Sequence, residues 1–370
     1  MKFRVPLLLV PVVFGSACAD DAVSPARAVS RPSADVSSVI TVVMSGLNSP
    51  RGLGFGPEGG LYVAEAGTTQ LNGACGQFFE GAVLSTKCYS GTGSVSRLWH
   101  GGQERVATGL PSTYVTSSNF ASGPQDISFA GRGHAMVAIG WGGPPELRTT
   151  MGGGAVDGGK LIQLQPSGGW RVVADITAFE GANNPAGGVI DSNPYGVLAE
   201  PGRTFVVDAG GNSLLEVAAN GRISLVATFP ATPAPPPFNQ SDAVPTRVRR
   251  GPDGALYVST LSGAPFAIGA AAIYRVREGQ PPVVYVGGFK TITDFAFAPD
   301  GGLYVLQFAT APVFFGGPGA LIRVAPGGAR TTITAALAQP TGIAVGDDGS
   351  VYVSNRGTSS GDGEVLRITP

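Results

Sequence analysis

The chain has 370 residues, enough for one large core or two ordinary ones. A formal net charge of −1 and a charged fraction of only 13% leave no basic stripe to meet phosphates, which excludes a nucleic-acid partner and an electrostatic hold on an anionic membrane. The 57 glycines and 30 prolines, beside an ordinary 43% of apolar residues, suit many short strands joined by turns and argue against disorder.

At the N-terminus Lys2 and Arg4 precede the apolar run VPLLLVPVVF, and the small residues GSAC follow. This is the chemistry of a signal peptide, and the run is too short to span a bilayer. Cys18, after Ser16 and Ala17, resembles the lipid-bearing cysteine of a lipoprotein cleavage box, with Gly15 where that box usually carries leucine. The reading is a signal peptide over 1–18, a lipid on Cys18 and a flexible Pro-, Ser- and Ala-containing tether over 19–36. Cleavage after Ala17 or Ala19 without lipid stays open. The expectation is an exported monomer, in the cell envelope or secreted, which meets a membrane only through that anchor. The two remaining cysteines, Cys75 and Cys88 in CGQFFEGAVLSTKC, are expected to pair in an oxidising compartment.

Beyond the tether one phrase recurs: an entry proline or its equivalent, an apolar strand, a Gly-containing turn and a second strand. The copies are SPRGLGFGPEGGLYVAE from Ser49, GPQDISFAGRGHAMVAI from Gly123, NPYGVLAEPGRTFVVDA from Asn193, VPTRVRRGPDGALYVST from Val244, ITDFAFAPDGGLYVLQF from Ile292 and QPTGIAVGDDGSVYVSN from Gln339. Each alternates apolar and polar residues on both sides of its turn, as a β-hairpin does. A second hairpin follows each of the first five, for example SLLEVAANGRISLVATF after the third. The sixth stops at GEVLRITP, one strand short, while ITVVMSGL before the first copy supplies a strand of the right kind. The fold class is therefore all-β: a six-bladed β-propeller of four-stranded blades over 37–370, its ring closed by the N-terminal strand completing the last blade. Closure also protects strand edges from pairing with other chains. One or two helical turns are expected near Asp175 to Asn184.

Loop lengths are lopsided. Turns within hairpins are minimal, whereas links between hairpins and between blades are often long: 65–93, 110–123, 140–159, 178–192, 229–243 and 307–318. In a propeller those long links share one face, around the mouth of the central channel. Scaffold turns stay short, and binding residues concentrate on elaborated loops. Trp141, Phe78, Phe79, Tyr114, Phe120, Phe266, Phe314 and Phe315 lie in these links, to line an aromatic-binding rim or to pack the loops onto the ring.

Two motif matches fail. GFGPEG (54–59) has the glycines of a dinucleotide loop, but Pro57 interrupts it and a strand follows. GTSSG (357–361) imitates a nucleophile elbow, yet His100 and His134 come before it instead of after, both beside predicted turns. No Cys or His cluster has zinc spacing. The short basic cluster Arg247, Arg249 and Arg250 reads as a solvated or paired strand edge. Inner-strand starts place Arg51, Gln125, Asp126, Tyr195, Thr246, Arg247, Asp294 and Thr341 at the channel mouth. Second-strand ends place Glu65, Asp208, Thr260, Gln307 and Asn355 there. Converging oxygens of this kind suit a hard cation such as calcium, which would polarise an ester carbonyl. In VVDAGGN (206–212), Asn212 is expected to bind backbone across the turn, with the glycines at positive φ, while Asp208 either does the same or, at its strand end, faces the channel.

DSNPYGVLAEPGRTFVVDAGGNSLLEV, GALIRVAP, QPTGIAV and YVSNRGTSSGDGEVLRI resemble the ScyD/ScyE family across about 45–370. The resemblance implies an exported propeller of the NHL kind and no agreed catalytic mechanism. Acidic residues frequent in that family near Thr260 and Gln307 are absent. More remotely, the blade pattern is similar to that of calcium-dependent lactonases of the gluconolactonase type. That similarity implies metal ligation by Asn193 and Asp208, whereas Arg51 stands where a further acidic ligand is expected. The functional expectation is an exported propeller that binds a small organic ligand, aromatic ones included, or a protein partner on its long-loop face, with no assured cofactor. A calcium-dependent lactonase using Asn193, Asp208 and Glu65, or a structural scaffold of the cell envelope, are the alternatives.

Overall fold

The computed structural model describes residues 38–369 apart from 81–82, 119, 132–133, 237 and 312–314. The signal peptide, Cys18, the tether and Phe314 lie outside the described residues. The structure is built from hairpins whose turns need a left-handed residue. Glycine supplies it at the same place in five of them: Gly59, Gly202, Gly254, Gly301 and Gly349, all with φ between +76° and +88°.

Paired hairpins make four-stranded antiparallel sheets. Sheet 1 comprises Pro50–Phe55, Leu61–Glu65, Gly93–Trp99 and Gly102–Leu110, and sheet 2 Pro124–Ala130, His134–Ile139, Lys160–Leu164 and Trp170–Asp175. Sheet 3 comprises Pro194–Glu200, Arg203–Asp208, Ser213–Ala218 and Ile223–Thr228, and sheet 4 Pro245–Arg250, Leu256–Thr260, Ala271–Val276 and Val283–Phe289. Sheet 5 comprises Ile292–Phe297, Leu303–Gln307, Gly319–Val324 and Arg330–Leu337. Sheet 6 comprises Gly342–Val345, Val351–Asn355 and Ser360–Thr369, and its fourth strand is the N-terminal Val39–Asn48, paired antiparallel to Ser360–Thr369.

Burial falls from the first strand of each sheet to the fourth. Pro245–Arg250 is almost wholly buried, while Val283–Phe289 is exposed along most of its length. Apolar clusters fill the seams between consecutive sheets: Val95 and Ile127 between sheets 1 and 2, Leu161 and Val206 between 2 and 3, Phe205 and Val258 between 3 and 4. Ile273 and Phe295 join sheets 4 and 5, Leu306 and Val353 join 5 and 6, and Val365 meets Leu53 between 6 and 1.

Hydrogen bonds repeat the pattern at the first strands. Thr246 Oγ1 donates to the Ile292 carbonyl at 2.9 Å, Thr293 Oγ1 to Pro340 at 3.0 Å and Thr341 Oγ1 to Pro50 at 2.7 Å. Each reaches from one sheet to the next, the last from sheet 6 to sheet 1.

The centre between the first strands is filled by charge. Arg247 pairs with Asp126 and, at 3.3 Å, with Asp294; Arg249 also reaches Asp294 at 3.3 Å. Asp126 accepts the Val197 N–H and Asp294 the Ile343 N–H, while Arg247 donates to Leu53 and Arg249 to Phe295 and Ile343. One network thus touches all of sheets 1–6. This corrects the sequence reading of the basic cluster. Arg247 is buried in a first strand instead of lying on a solvated edge, and the half-buried Arg249 joins it; Arg250, paired with Glu200, fits the expected paired edge.

The long links hold structure the sequence reading did not anticipate. Cys75–Glu80, Val83–Tyr89, Thr113–Val115 and Phe120–Ser122 form a separate four-stranded capping sheet from two links. The Cys75–Cys88 disulfide joins its first two strands, as expected. The helix Ile176–Asn183 forms where one or two helical turns were expected, capped by Asp175, which accepts the Ala178 N–H at 2.9 Å. Among the described residues no helix is long and apolar enough to cross a membrane.

Candidate functional site

Residues of the long links and the first-strand starts enclose a cavity of about 1010 Å³. Its floor is a sixfold set: Arg51, Gln125, Tyr195, Thr246 and Thr293, each the second residue of a first strand, and Thr341, the residue just ahead of the first strand of sheet 6. Thr293 was missed because its strand opens with Ile292 in place of proline; alignment of TD in ITDF with QD in PQDI would have found it. The walls include Phe78, Phe120, Trp141, Phe308 and Phe315.

The cavity gathers only part of the set read from sequence. Arg51, Gln125, Trp141, Asn193 and Tyr195 line it, whereas Glu65, Asp126, Asp208, Asp294, Gln307 and Asn355 do not. Asp126 and Asp294 belong instead to the central network. The others latch the chain as it enters a sheet. Glu65 accepts the Asn48 N–H at 2.6 Å, Asp208 that of Asn193 at 2.6 Å, Gln307 that of Lys290 at 2.8 Å and Asn355 that of Ala338 at 2.8 Å. Each acceptor closes a second strand and holds the backbone just ahead of the neighbouring first strand. Burial makes the bond valuable, since an unpaired N–H there costs about 1–3 kcal/mol.

Asp208 is the most heavily used latch. Its Oδ1 also accepts the Gly210 and Gly211 N–H groups at 3.2 and 3.1 Å, and its Oδ2 accepts the Ser192 hydroxyl at 2.7 Å. Asn212 donates from its amide nitrogen to the Gly210 carbonyl at 3.4 Å within the turn, and its amide oxygen accepts the N–H of Val244, ahead of sheet 4, at 2.9 Å. The glycines act differently from expectation. Neither Gly210 nor Gly211 has positive φ; Asn212 does, at +48°. A Cβ on Gly210 would lie 2.9 Å from the Asp191 carboxyl carbon, and one on Gly211 2.6 Å from Glu180 Oε2, so these positions are small because carboxyl groups crowd them.

Burial, with Asp208 and Asp191 nearby, pushes the Glu180 carboxyl up to about 7, and burial pushes Asp208 up to about 6 against the donors around it. Glu180 was not singled out from sequence, because its partners come together only when the helix packs on the turn.

Asn193 and Asp208 do not fit a calcium site. The Asn193 amide oxygen accepts the Trp141 N–H at 3.0 Å, and both Asp208 oxygens are occupied as described. Glu65 is held in another sheet by Ser96 and Arg105. Among the described residues no three His, Cys, Asp or Glu side chains converge to hold a metal ion.

Trp141 is fully buried, packed on Leu147, Met151 and Ala155 with Phe78 and Tyr89 alongside, so it roots the cavity wall instead of forming an open rim. Lys87 of the capping sheet donates to the Trp141 and Gly142 carbonyls, with its ammonium 4.9 Å from the Phe78 ring centre. The disulfide sits one residue away, at Cys88. Its two half-cystines are 13 residues apart, a loop length whose closure contributes about 3 kcal/mol. The paired Cys75→Ser, Cys88→Ser replacement is therefore expected to loosen the capping sheet by that amount. Amide exchange should quicken in Cys75–Glu80 and Val83–Tyr89 and stay unchanged in sheets 3–5.

Phe266 and Phe315 stack with centres 4.1 Å apart, and Phe308 meets Phe315 at 5.2 Å. Tyr114 pairs with Cys88 in the capping sheet and is no part of the wall. His100 is exposed in a hairpin turn.

No family model and no curated protein matches the chain, so the ScyD/ScyE resemblance gains no support beyond the fold. Solved structures do match. An oxidoreductase of Thermus thermophilus, provisionally described as glucose dehydrogenase, is 17% identical, with 90% of this chain and 100% of that one covered and a TM-score of 0.54. A protein of Bacteroides thetaiotaomicron of unknown function is 9% identical over 90% of this chain and 76% of its own, with a TM-score of 0.52. A protein provisionally described as a gluconolactonase is 13% identical over 90% and 93%, with a TM-score of 0.51. Identities this low carry the fold alone. With the nearly all-β, four-stranded sheets, they make the described chain a β-propeller, and its disulfide suits an oxidising, exported environment.

Proposed function

We propose that the six sheets are blades of one closed ring and that the protein is an exported propeller whose long-loop face binds a small organic molecule with a flat apolar or aromatic body. The observation that carries this reading is the cavity itself. About 1010 Å³ is enough for a drug-sized ligand, and the lining combines aromatic walls with a few polar groups on a rigid floor. Cyclic contacts between first strands support the ring, because the Thr341–Pro50 bond returns from the last sheet to the first. The lipid anchor on Cys18 belongs to the same reading.

The test is a panel of aromatic small molecules screened by thermal shift and followed by calorimetry. Saturable one-to-one binding is expected, weakened roughly tenfold by Phe120→Ala, which removes a partly exposed ring from the wall. A metal-dependent hydrolase is the second reading, prompted by a solved structure of like fold that is provisionally described as a gluconolactonase. A stoichiometric divalent ion in the purified protein, together with no binder from the panel, would establish it in place of the first.

A further inference from the structure

Of the six floor residues, Arg51 alone is charged. It is 6% exposed, and its hydrogen-bond partners are all neutral. Its Nε donates to Gln125 Oε1 at 3.0 Å, Nη2 to the Ala121 carbonyl at 2.8 Å and Nη1 to the Gly357 carbonyl. Among the described residues no carboxylate lies within ion-pair distance. The charges in the layer below do not compensate it either, because Asp126 and Asp294 are matched by Arg247 and Arg249. Of the other acidic residues lining the cavity, Glu146 and Asp242 are exposed at its rim, and Asp191 stands by Glu180 at the sheet 3 side.

An uncompensated buried guanidinium is costly, and the cost is relieved when an anion arrives. Three of its five N–H groups are used by the neutral acceptors, which leaves two. Tyr195 stands in the same floor and is coupled electrostatically to Arg51, and no hydrogen bond within the protein occupies its hydroxyl among the described residues. Carbonyl bonds hold the guanidinium plane in place, which suits the planar fork of a carboxylate.

We propose that Arg51, with the Tyr195 hydroxyl, is an anion-recognition site, and that the ligand of the cavity is an organic carboxylate carrying a flat apolar body. The assignment rests on the cavity being a ligand site.

The test compares 2-naphthoate with the neutral, near-isosteric 2-naphthamide by calorimetry on the mature chain at pH 7. Naphthoate is expected to bind about tenfold tighter than the amide, the worth of one charge-assisted pair over a neutral one. Arg51→Gln should abolish that preference. Where this variant fails to fold, Tyr195→Phe keeps the ring and should weaken naphthoate severalfold and the amide less, because a hydroxyl bond to a carboxylate is stronger than one to a neutral carbonyl. Equal binding of the two probes by the unaltered protein overturns the anion site and leaves the cavity reading standing. A preference that survives Arg51→Gln, or a Tyr195→Phe change that affects both probes alike, overturns it too. Binding of neither probe overturns both readings.

Discussion

Replacement of Arg247 by methionine is expected to cost about 3–5 kcal/mol, the loss seen when one member of a buried ionic network is removed and its partners stay behind. Asp126 and Asp294 are each 1% exposed, and both face this guanidinium. Burial already pushes the Asp126 carboxyl upward, with Arg247 opposing that shift and Asp294 adding to it. Without Arg247 the two carboxyls confront each other with Arg249 alone for compensation. Calorimetry should show a melting temperature lower by roughly 4–7 °C in a domain of this size. A second variant separates charge from shape. Adding Asp126→Asn and Asp294→Asn removes the stranded charges, so the triple variant should recover a large part of the loss. A triple variant less stable than the single one would mean that backbone bonds to Val197 and Ile343, not ion pairing, are what the aspartates supply.

The repeat was legible in sequence because each sheet spells the same local instructions: an entry proline or its equivalent, period-two alternation, and glycine where φ must be positive. VPTRVRRGPDGALYVST and QPTGIAVGDDGSVYVSN differ at most positions yet fold into matching hairpins, since turn and alternation decide both. The long-loop face was legible for a related reason, because strand count fixes which links share an end. What stayed hidden depends on contacts between distant residues. Arg247 meets Asp126 and Asp294 across separate sheets, and nothing local marks a basic strand as central. The capping sheet joins strands from two links separated by an entire hairpin of sheet 1, and its outer strands of three residues carry almost no periodicity. Glu65, Gln307 and Asn355 looked like ligands because oxygens at strand ends suit metals as well as backbone N–H groups; only geometry tells the uses apart.

Stability is expected to fall as pH rises from about 4 to about 7, because two carboxyls in the folded protein hold their protons longer than in the unfolded chain. Asp208 moves from an ordinary 3.8 up to about 6, and Glu180 from 4.5 up to about 7. The folded state therefore binds more protons than the unfolded state across that window, and the linkage relation makes stability decline with pH. For Asp208 the contribution is full below its unfolded value and lost on passing its folded one, about 3 kcal/mol at most. Glu180 acts in the same direction, next to Asp191 and Asp208. The exposed pairs Asp253–Arg275, Asp300–Arg323 and Asp348–Arg367 hold their carboxyls below the usual range, so their opposite effect falls below pH 4. Asp208→Asn keeps an oxygen for the Asn193, Gly210 and Gly211 N–H groups and cannot ionise. Denaturant titrations at pH 5 and pH 8 should show its pH dependence reduced by about half. Asp208→Ala should cost about 2–4 kcal/mol, more at pH 5 than at pH 8, because four donors lose their acceptor at once and the raised carboxyl stabilises only while protonated. Unchanged stability in the alanine variant would refute the latch and return Asp208 to the search for a ligand-binding role.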